Sequence, residues 1–255
     1  MIPTVTLGNS GIEVSEFCFG TGTNGWNGGS NQTRLGKKQF IDLMLYGYEK
    51  GIRFWDSADQ YGSHPHVKEG LRILGRENVV FTTKTCATTK KETEKDIKRF
   101  LKETGTDYLD IVLMHCMSSA DWPEQKSGVL EALSEAKEKG LIRAHGVSCH
   151  DFGAFQTASE NPWVEVVLAR INHGCKHMDA SDPEVIGVME KMHQAGKGIY
   201  GMKVVGAGAL TTDVFESLAF VRELDCVHAL VLGMVSREEI DENVRFFEEH
   251  SLVAV

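Results

Sequence analysis

Short, almost wholly apolar runs alternate with longer amphipathic stretches along most of this chain. The runs EFCFGTG (16–22), IRFWDSA (52–58), NVVFTTKT (78–85), DYLDIVLMH (107–115), LIRAHGVS (141–148), WVEVVLARIN (163–172), GIYGMKV (198–204) and VHALVLGM (227–234) read as strands. Several are apolar on both faces, as strands covered by helices must be. Between them, 37–51, 66–75, 91–105, 128–140, 152–160, 182–196, 212–223 and 236–250 carry helical spacing; Ile97, Phe100 and Leu101, for example, share one face. Gly51, Gly75, Gly140 and Gly196 end four of these helices. Ahead of the series, VTL and IEV flank the turn-forming cluster Asn9-Ser10-Gly11 and predict a small hairpin.

Polar residues end the apolar runs at a steady interval. Asp56, Lys84, His115, Ser148, Asn172, Lys203 and Gly233 are separated by 28, 31, 33, 24, 31 and 30 residues, the length of one strand, one helix and two turns. Eight such units predict a (β/α)8 barrel with an N-terminal β-hairpin, organised as one domain over residues 1–255. The competing fold is an open doubly wound sheet. Its phosphate-binding turn is matched by Gly20, Gly22 and Gly25, but no regular helix opens directly after them, and the barrel is favoured.

In a barrel the strand C-termini share one mouth, so Asp56, Tyr61, Lys84 and His115 are expected to meet there. Together they suit carbonyl reduction, which needs a hydride donor and an acid for the developing alkoxide. Tyr61 is too weak an acid alone, at a free pKa of ~10, and a neighbouring ammonium stabilises its phenolate. Lys84 can supply that charge, Asp56 can hold Lys84, and His115 can polarise the substrate oxygen. Singly, a packed Tyr or His and a turn-forming Asp are ordinary structural features. The joint placement at one rim favours function.

Composition narrows the partners. A net charge of −9 disfavours a nucleic-acid backbone. Six scattered cysteines without a CxxC pair fit reduced thiols better than disulfides or a zinc site. The N-terminus lacks a signal-peptide pattern, and no apolar run reaches the ~20 residues that span a bilayer, so a cytoplasmic protein with no membrane partner is expected.

LGNSGIEVSEFCFGTG, DSADQYG, Lys84, TDYLDIVLMH, GLIRAHGVS and EEIDENVRFF, taken in order, resemble the aldo-keto reductase family over essentially the whole chain. The resemblance implies hydride transfer between a nicotinamide cofactor and a small carbonyl or alcohol, with Asp56, Tyr61, Lys84 and His115 as the catalytic tetrad and Tyr61 as general acid. It implies that Ser148 and Asn172 hold the nicotinamide carboxamide, that Gly22 and Thr23 approach the nicotinamide, and that Glu242 and Asn243 bind adenine. Gly233, Met234 and Ser236 lie in the stretch that wraps the adenosine phosphate. Asp56 completes the cofactor set; Lys203, which the resemblance gives no role, reads equally as a rim lysine near cofactor phosphate and as a residue of other use.

The chain also departs from the family pattern. Cys149 follows Ser148 where an Asn is usual, and MKVVGAGAL replaces the usual aromatic-Ser-Pro-Leu after the seventh strand. The sequence after Phe247 is too short for the family's long C-terminal loop. Glu239 stands where NADP-dependent members carry a base, which favours NAD(H) over NADP(H). Trp26, Met117, Trp122 and His64 are candidate pocket walls.

Three rivals remain. One is a nicotinamide-binding regulatory subunit. A second is a Schiff-base aldolase built on Lys84 or Lys203, which needs a neutral lysine. The third, a metal-dependent hydrolase, draws on His64, His66, His115, His150 and His173; no metal site is expected, because the ligand geometry is not evident.

Overall fold

A computed structural model of the chain describes residues 2–212 and 214–249. Asp213 and His250, at the ends of two expected helices, lie outside them. The predicted hairpin forms from β1 (Thr4–Thr6) and β2 (Glu13–Ser15), paired antiparallel. Eight parallel strands follow: β3 (Phe17–Gly20), β4 (Phe54–Asp56), β5 (Val80–Thr85), β6 (Leu109–Met117), β7 (Ile142–Cys149), β8 (Val166–Arg170), β9 (Gly198–Met202) and β10 (Ala229–Gly233). They close in chain order, with β10 pairing β3, into the expected barrel.

The main covering helices are α2 (Lys37–Glu49), α3 (His64–Leu74), α4 (Lys90–Thr104), α6 (Ser127–Glu138), α7 (Phe152–Glu160), α8 (Asp182–Gln194), α9 (Val214–Arg222) and α10 (Arg237–Glu249). Two one-turn helices, α1 (Asn31–Arg34) and α5 (Trp122–Gln125), carry too little periodicity to be read from sequence. Helix α4 shows why these segments fold locally. Thr89 accepts a hydrogen bond from the Glu92 amide, Glu92 reaches back to Thr89, and Gly105 closes the helix in the left-handed region.

Strand alternation sorts the two cores. Phe17, Phe19, Trp55, Phe81, Val112, Val147 and Val167 face the helices. Cys18, Phe54, Ile111, Leu113, Ala144, Val166, Leu168 and Tyr200 fill the barrel. Leu7, Ile12 and Val14 of the hairpin pack into that same interior cluster and close the floor. The Asn9 amide donates to the Gly196 carbonyl at 2.7 Å, which ties the hairpin to the turn before β9.

Candidate active site

Because side chains alternate along a strand, Asp56, Lys84 and His115 share the inward register with Phe54, Thr82 and Leu113, and all three come at C-terminal strand ends. Lys84 is fully buried and Asp56 nearly so. The Lys84 ammonium donates to Asp56 Oδ1 at 2.6 Å and to the Ser57 carbonyl at 2.7 Å. The other Asp56 oxygen accepts from the Tyr200 hydroxyl at 2.8 Å. Burial pushes the Lys84 pKa down, but Asp56 and Tyr61 outweigh it and the net direction is up. Lys84 is therefore a charged donor, which opposes its use as a Schiff-base nucleophile.

Tyr61 sits in a one-turn helix, Asp59–Tyr61, just beyond β4. The Lys84 nitrogen lies 5.1 Å from its ring centroid. Its edge-to-face contact with His115 has centroids 5.7 Å apart. Burial raises the Tyr61 pKa, while the Lys84 charge acts in the opposite sense. The phenol thus holds its proton at neutral pH, beside a cation able to stabilise the phenolate. Gly22 and Gly25 lie against the ring, where a Cβ on either would collide with it.

The regular β6–β7 ladder ends at Met114, and His115 lies in the register shift between Met114 and Met117, where Cys116 adopts φ 60°. This irregularity turns the strand end into the mouth. Burial, followed by the charge of Lys84, lowers the His115 pKa to about 3, so the ring is neutral. Its Nδ1 lies 3.6 Å from Cys86 Sγ. His150 is similarly lowered to about 4, by burial first and then by Arg170 and Lys203, and its Nε2 lies 3.6 Å from Cys116 Sγ.

The cofactor set divides. Ser148 Oγ accepts from the Cys116 amide at 2.9 Å. The hydroxyl hydrogen makes no further bond among the described residues and remains able to donate to a carboxamide. Asn172 departs from expectation. Its Nδ2 donates to the carbonyls of Lys176 and Lys203, and its Oδ1 accepts from the amides of Gly174 and Lys176. That amide is engaged in bracing two loops.

Gly233 ends β10 against Thr23, where a Cβ would overlap Thr23 Oγ1. Gln32 donates to Thr23 Oγ1 at 2.9 Å and fixes that loop. Met234 is buried. Ser236 Oγ accepts from the Glu239 amide, and Glu239 accepts from the Val235 amide at 2.8 Å. Glu239 therefore caps α10, which removes its carboxylate as an argument for a ribose diol. Glu242 is exposed, whereas Asn243 is buried with Oδ1 lacking a partner among the described residues. Beside the start of α10, a groove of about 260 Å³ is lined by Gln39, Leu43, Ser236 and Arg237, among others.

Two of the expected pocket walls lie elsewhere. His64 is buried behind the barrel, bonded to Glu103 at 2.7 Å and Thr83 at 2.8 Å. Trp122 is buried and donates to the Ala154 carbonyl. No group of three or more His, Cys, Asp or Glu able to hold a metal occurs among the described residues. No described helix is long and apolar enough to cross a membrane.

Sequence reasoning missed Arg170 and Tyr200. Arg170 follows Val166 and Leu168 on the inward register of β8 and ends the strand at the mouth. The signal was present: a lone cation closes the apolar run VVLAR.

The family model for aldo/keto reductases matches residues 16–222. The chain belongs to the aldo/keto reductase family. Among known relatives of this aldo/keto reductase, "Aldo-keto reductase AFTS1" of Alternaria alternata is 28% identical over 206 residues, covering 66% of this chain and 56% of its own. "Probable aldo-keto reductase 1" of Glycine max is 28% identical over 229 residues, covering 80% and 62%. The chain thus spans about three fifths of the length of these relatives. Two solved structures share the fold. The holo form of aldo-keto reductase AKR11C1 from Bacillus halodurans has a TM-score of 0.77 at 20% identity, over 97% of this chain and 91% of that one. An aldo/keto reductase from Brucella melitensis has a TM-score of 0.72 at 18% identity, over 97% and 94%. Members of the family are oxidoreductases that act on small carbonyl compounds with nicotinamide cofactors, generally NADP(H). The expectation of NAD(H) finds no support there.

Proposed function

We propose that this aldo/keto reductase reduces a small carbonyl compound with NADP(H), using Tyr61 as the general acid. The observation that carries the reading is the buried Lys84 ammonium, bonded to Asp56 and Ser57 with the Tyr61 ring beside it and His115 against that ring. Four titratable groups with these contacts match the needs of proton donation to an alkoxide.

A nicotinamide cofactor would supply the hydride. The fit rests on the spare Ser148 hydroxyl hydrogen and on Asn243 Oδ1, which has no partner among the described residues and lies in the expected binding stretch. Ser148 would donate to the carboxamide, and Arg237 at the α10 groove is the cation available to a 2′-phosphate. Asn172 is left out of this assignment.

At the reacting end, neutral His115 donates a hydrogen bond to the substrate carbonyl oxygen and polarises it. Tyr61 gives its proton to that oxygen as negative charge develops. Lys84 stabilises the resulting phenolate, while Asp56 keeps Lys84 charged and fixed. Tyr200 fixes Asp56 in turn.

The test is reduction of a panel of aldehydes and ketones, followed by loss of NADPH absorbance. Wild-type turnover should fall at least about a thousandfold in Tyr61→Phe, at the middle of the range for general acid catalysis. Retention of turnover by Tyr61→Phe would refute the assignment of the acid. Tryptophan-fluorescence titrations with NADPH and NADH separate the cofactors; tighter NADH binding would overturn the NADP(H) reading.

A further inference from the structure

One cation at the mouth has no counter-charge among the described residues. Lys84 is paired with Asp56, and Arg170 with Asp179 through Nη1 at 2.8 Å. Lys203, half-buried just after β9, has no ion-pair partner among the described residues. Its carbonyl is held by the Asn172 side chain at 3.1 Å and the Gly206 amide at 2.7 Å, and its backbone takes φ 61°. A non-glycine residue in that region costs energy, and surrounding structure must impose it.

Arg170 brings further unmet capacity. The bond to Asp179 is the only hydrogen bond its guanidinium makes among the described residues, and Nε is buried without a partner. Arg170 pairs in register with Met202, the residue before Lys203. The charges of Arg170 and Lys203 both act on Cys116, near the end of β6, and on His150, just past β7. Asp151, the other carboxylate near Asp179, caps α7 by accepting from the Ala154 amide.

We infer that Arg170 and Lys203 form an anion-holding wall of the mouth that takes the carboxylate of a carboxylated aldehyde or ketone. A half-buried cation such as Lys203 is costly without a counter-ion, and one carboxylate supplies the missing charge. The guanidinium offers the directional donors and Lys203 the point charge. Cofactor phosphate is the other anion available. The ring position favours substrate: Arg170 shares the inward strand-end register of Lys84 and His115, whereas the α10 groove lies outside the barrel.

The inference rests on the carbonyl-reductase reading, and the experiment separates the two. Turnover of 4-carboxybenzaldehyde is compared with that of its methyl ester in wild type, Arg170→Met, Arg170→Lys and Lys203→Met. Binding of terephthalate to the NADPH complex is measured by calorimetry, and NADPH binding by fluorescence. Wild type should prefer the acid, and the acid-to-ester ratio of kcat/KM should fall about tenfold or more in each Met variant, mainly through KM. Arg170→Lys should recover part of the ratio. Terephthalate should bind wild type and weaken by a similar factor in the Met variants, independently of turnover.

A ratio unchanged by both Met variants overturns the inference. So does a tenfold loss of NADPH affinity with an unchanged ratio, which would assign the cations to cofactor phosphate. If neither aldehyde is reduced but terephthalate binding follows the variants, the reductase reading fails and the anion wall stands. Lys203→Met leaves the Arg170–Asp179 pair intact, so it carries the test if Arg170→Met does not fold.

Discussion

Adding one methyl group at Gly22 should silence Tyr61 without touching it chemically. A Cβ at Gly22 would sit 2.1 Å from Tyr61 Cε2, about 1.5 Å short of a comfortable carbon–carbon contact. The backbone at Gly22 does not need positive φ, so alanine is conformationally acceptable and the clash is the dominant effect. The loop carrying Gly22 is tied through Thr23 to Gln32, and the Gly25 amide bonds back to the Gly22 carbonyl. The ring therefore has to move by much of that distance from the position it holds beside Lys84 and His115. Misplacing a reacting group by about 1 Å costs on the order of a hundredfold in rate. Overpacking of this kind costs roughly 1–3 kcal/mol of stability. The expected result for Gly22→Ala is a kcat about a hundredfold lower, with a folded, cooperative unfolding transition in urea. NADPH oxidation and urea melts on the same preparation provide both readings. Wild-type kcat in Gly22→Ala would show that the loop yields, or that Tyr61 is not the acid.

Other substitutions probe the surrounding supports. Asp56→Asn leaves Lys84 buried without its carboxylate and should cost about 3–5 kcal/mol in urea unfolding; a loss below about 1 kcal/mol would contradict the pairing. Asn172→Ala should cost about 2 kcal/mol or more, because four loop hydrogen bonds go, while NADPH affinity stays within about threefold; a large affinity loss with full stability would restore Asn172 as a cofactor ligand. His115 is neutral in the folded chain down to pH about 3 but titrates near pH 6.5 when unfolded. Its stabilising contribution is therefore complete above pH 6.5 and is lost as pH falls toward 3, at up to about 1.4 kcal/mol per pH unit. His115→Gln should flatten that slope in urea midpoints between pH 6.5 and 4, and an unaltered slope would refute the burial argument.

The barrel was legible because it repeats. Each strand is a short apolar run, each helix has its own stripe, and the interval between polar strand ends stays near thirty residues. The meeting of Asp56, Lys84 and His115 at one rim was legible for the same reason, since alternation and register place them together once the strands are known. What escaped depends on neighbours that no local pattern shows. Glu239 reads as a charge facing a ribose until its bond to the Val235 amide makes it a cap. His64 reads as a pocket wall, yet α3 begins at His64 and carries it under Phe100 and Phe81. Trp122 opens a helix too short to leave a periodic trace. Arg170 was legible in principle, but the run around it invites reading as uniform apolar core.

The hairpin that closes the barrel floor also fixes a practical direction. Gly11 and Glu13 are exposed at the end opposite the tetrad, on a turn held to the Gly196 carbonyl. A tether attached through an unnatural side chain at Glu13 would seat the molecule on a bead or electrode with its mouth facing outward. Immobilised protein should then keep its solution KM, whereas attachment through Cys86, exposed beside His115, would turn the opening toward the support.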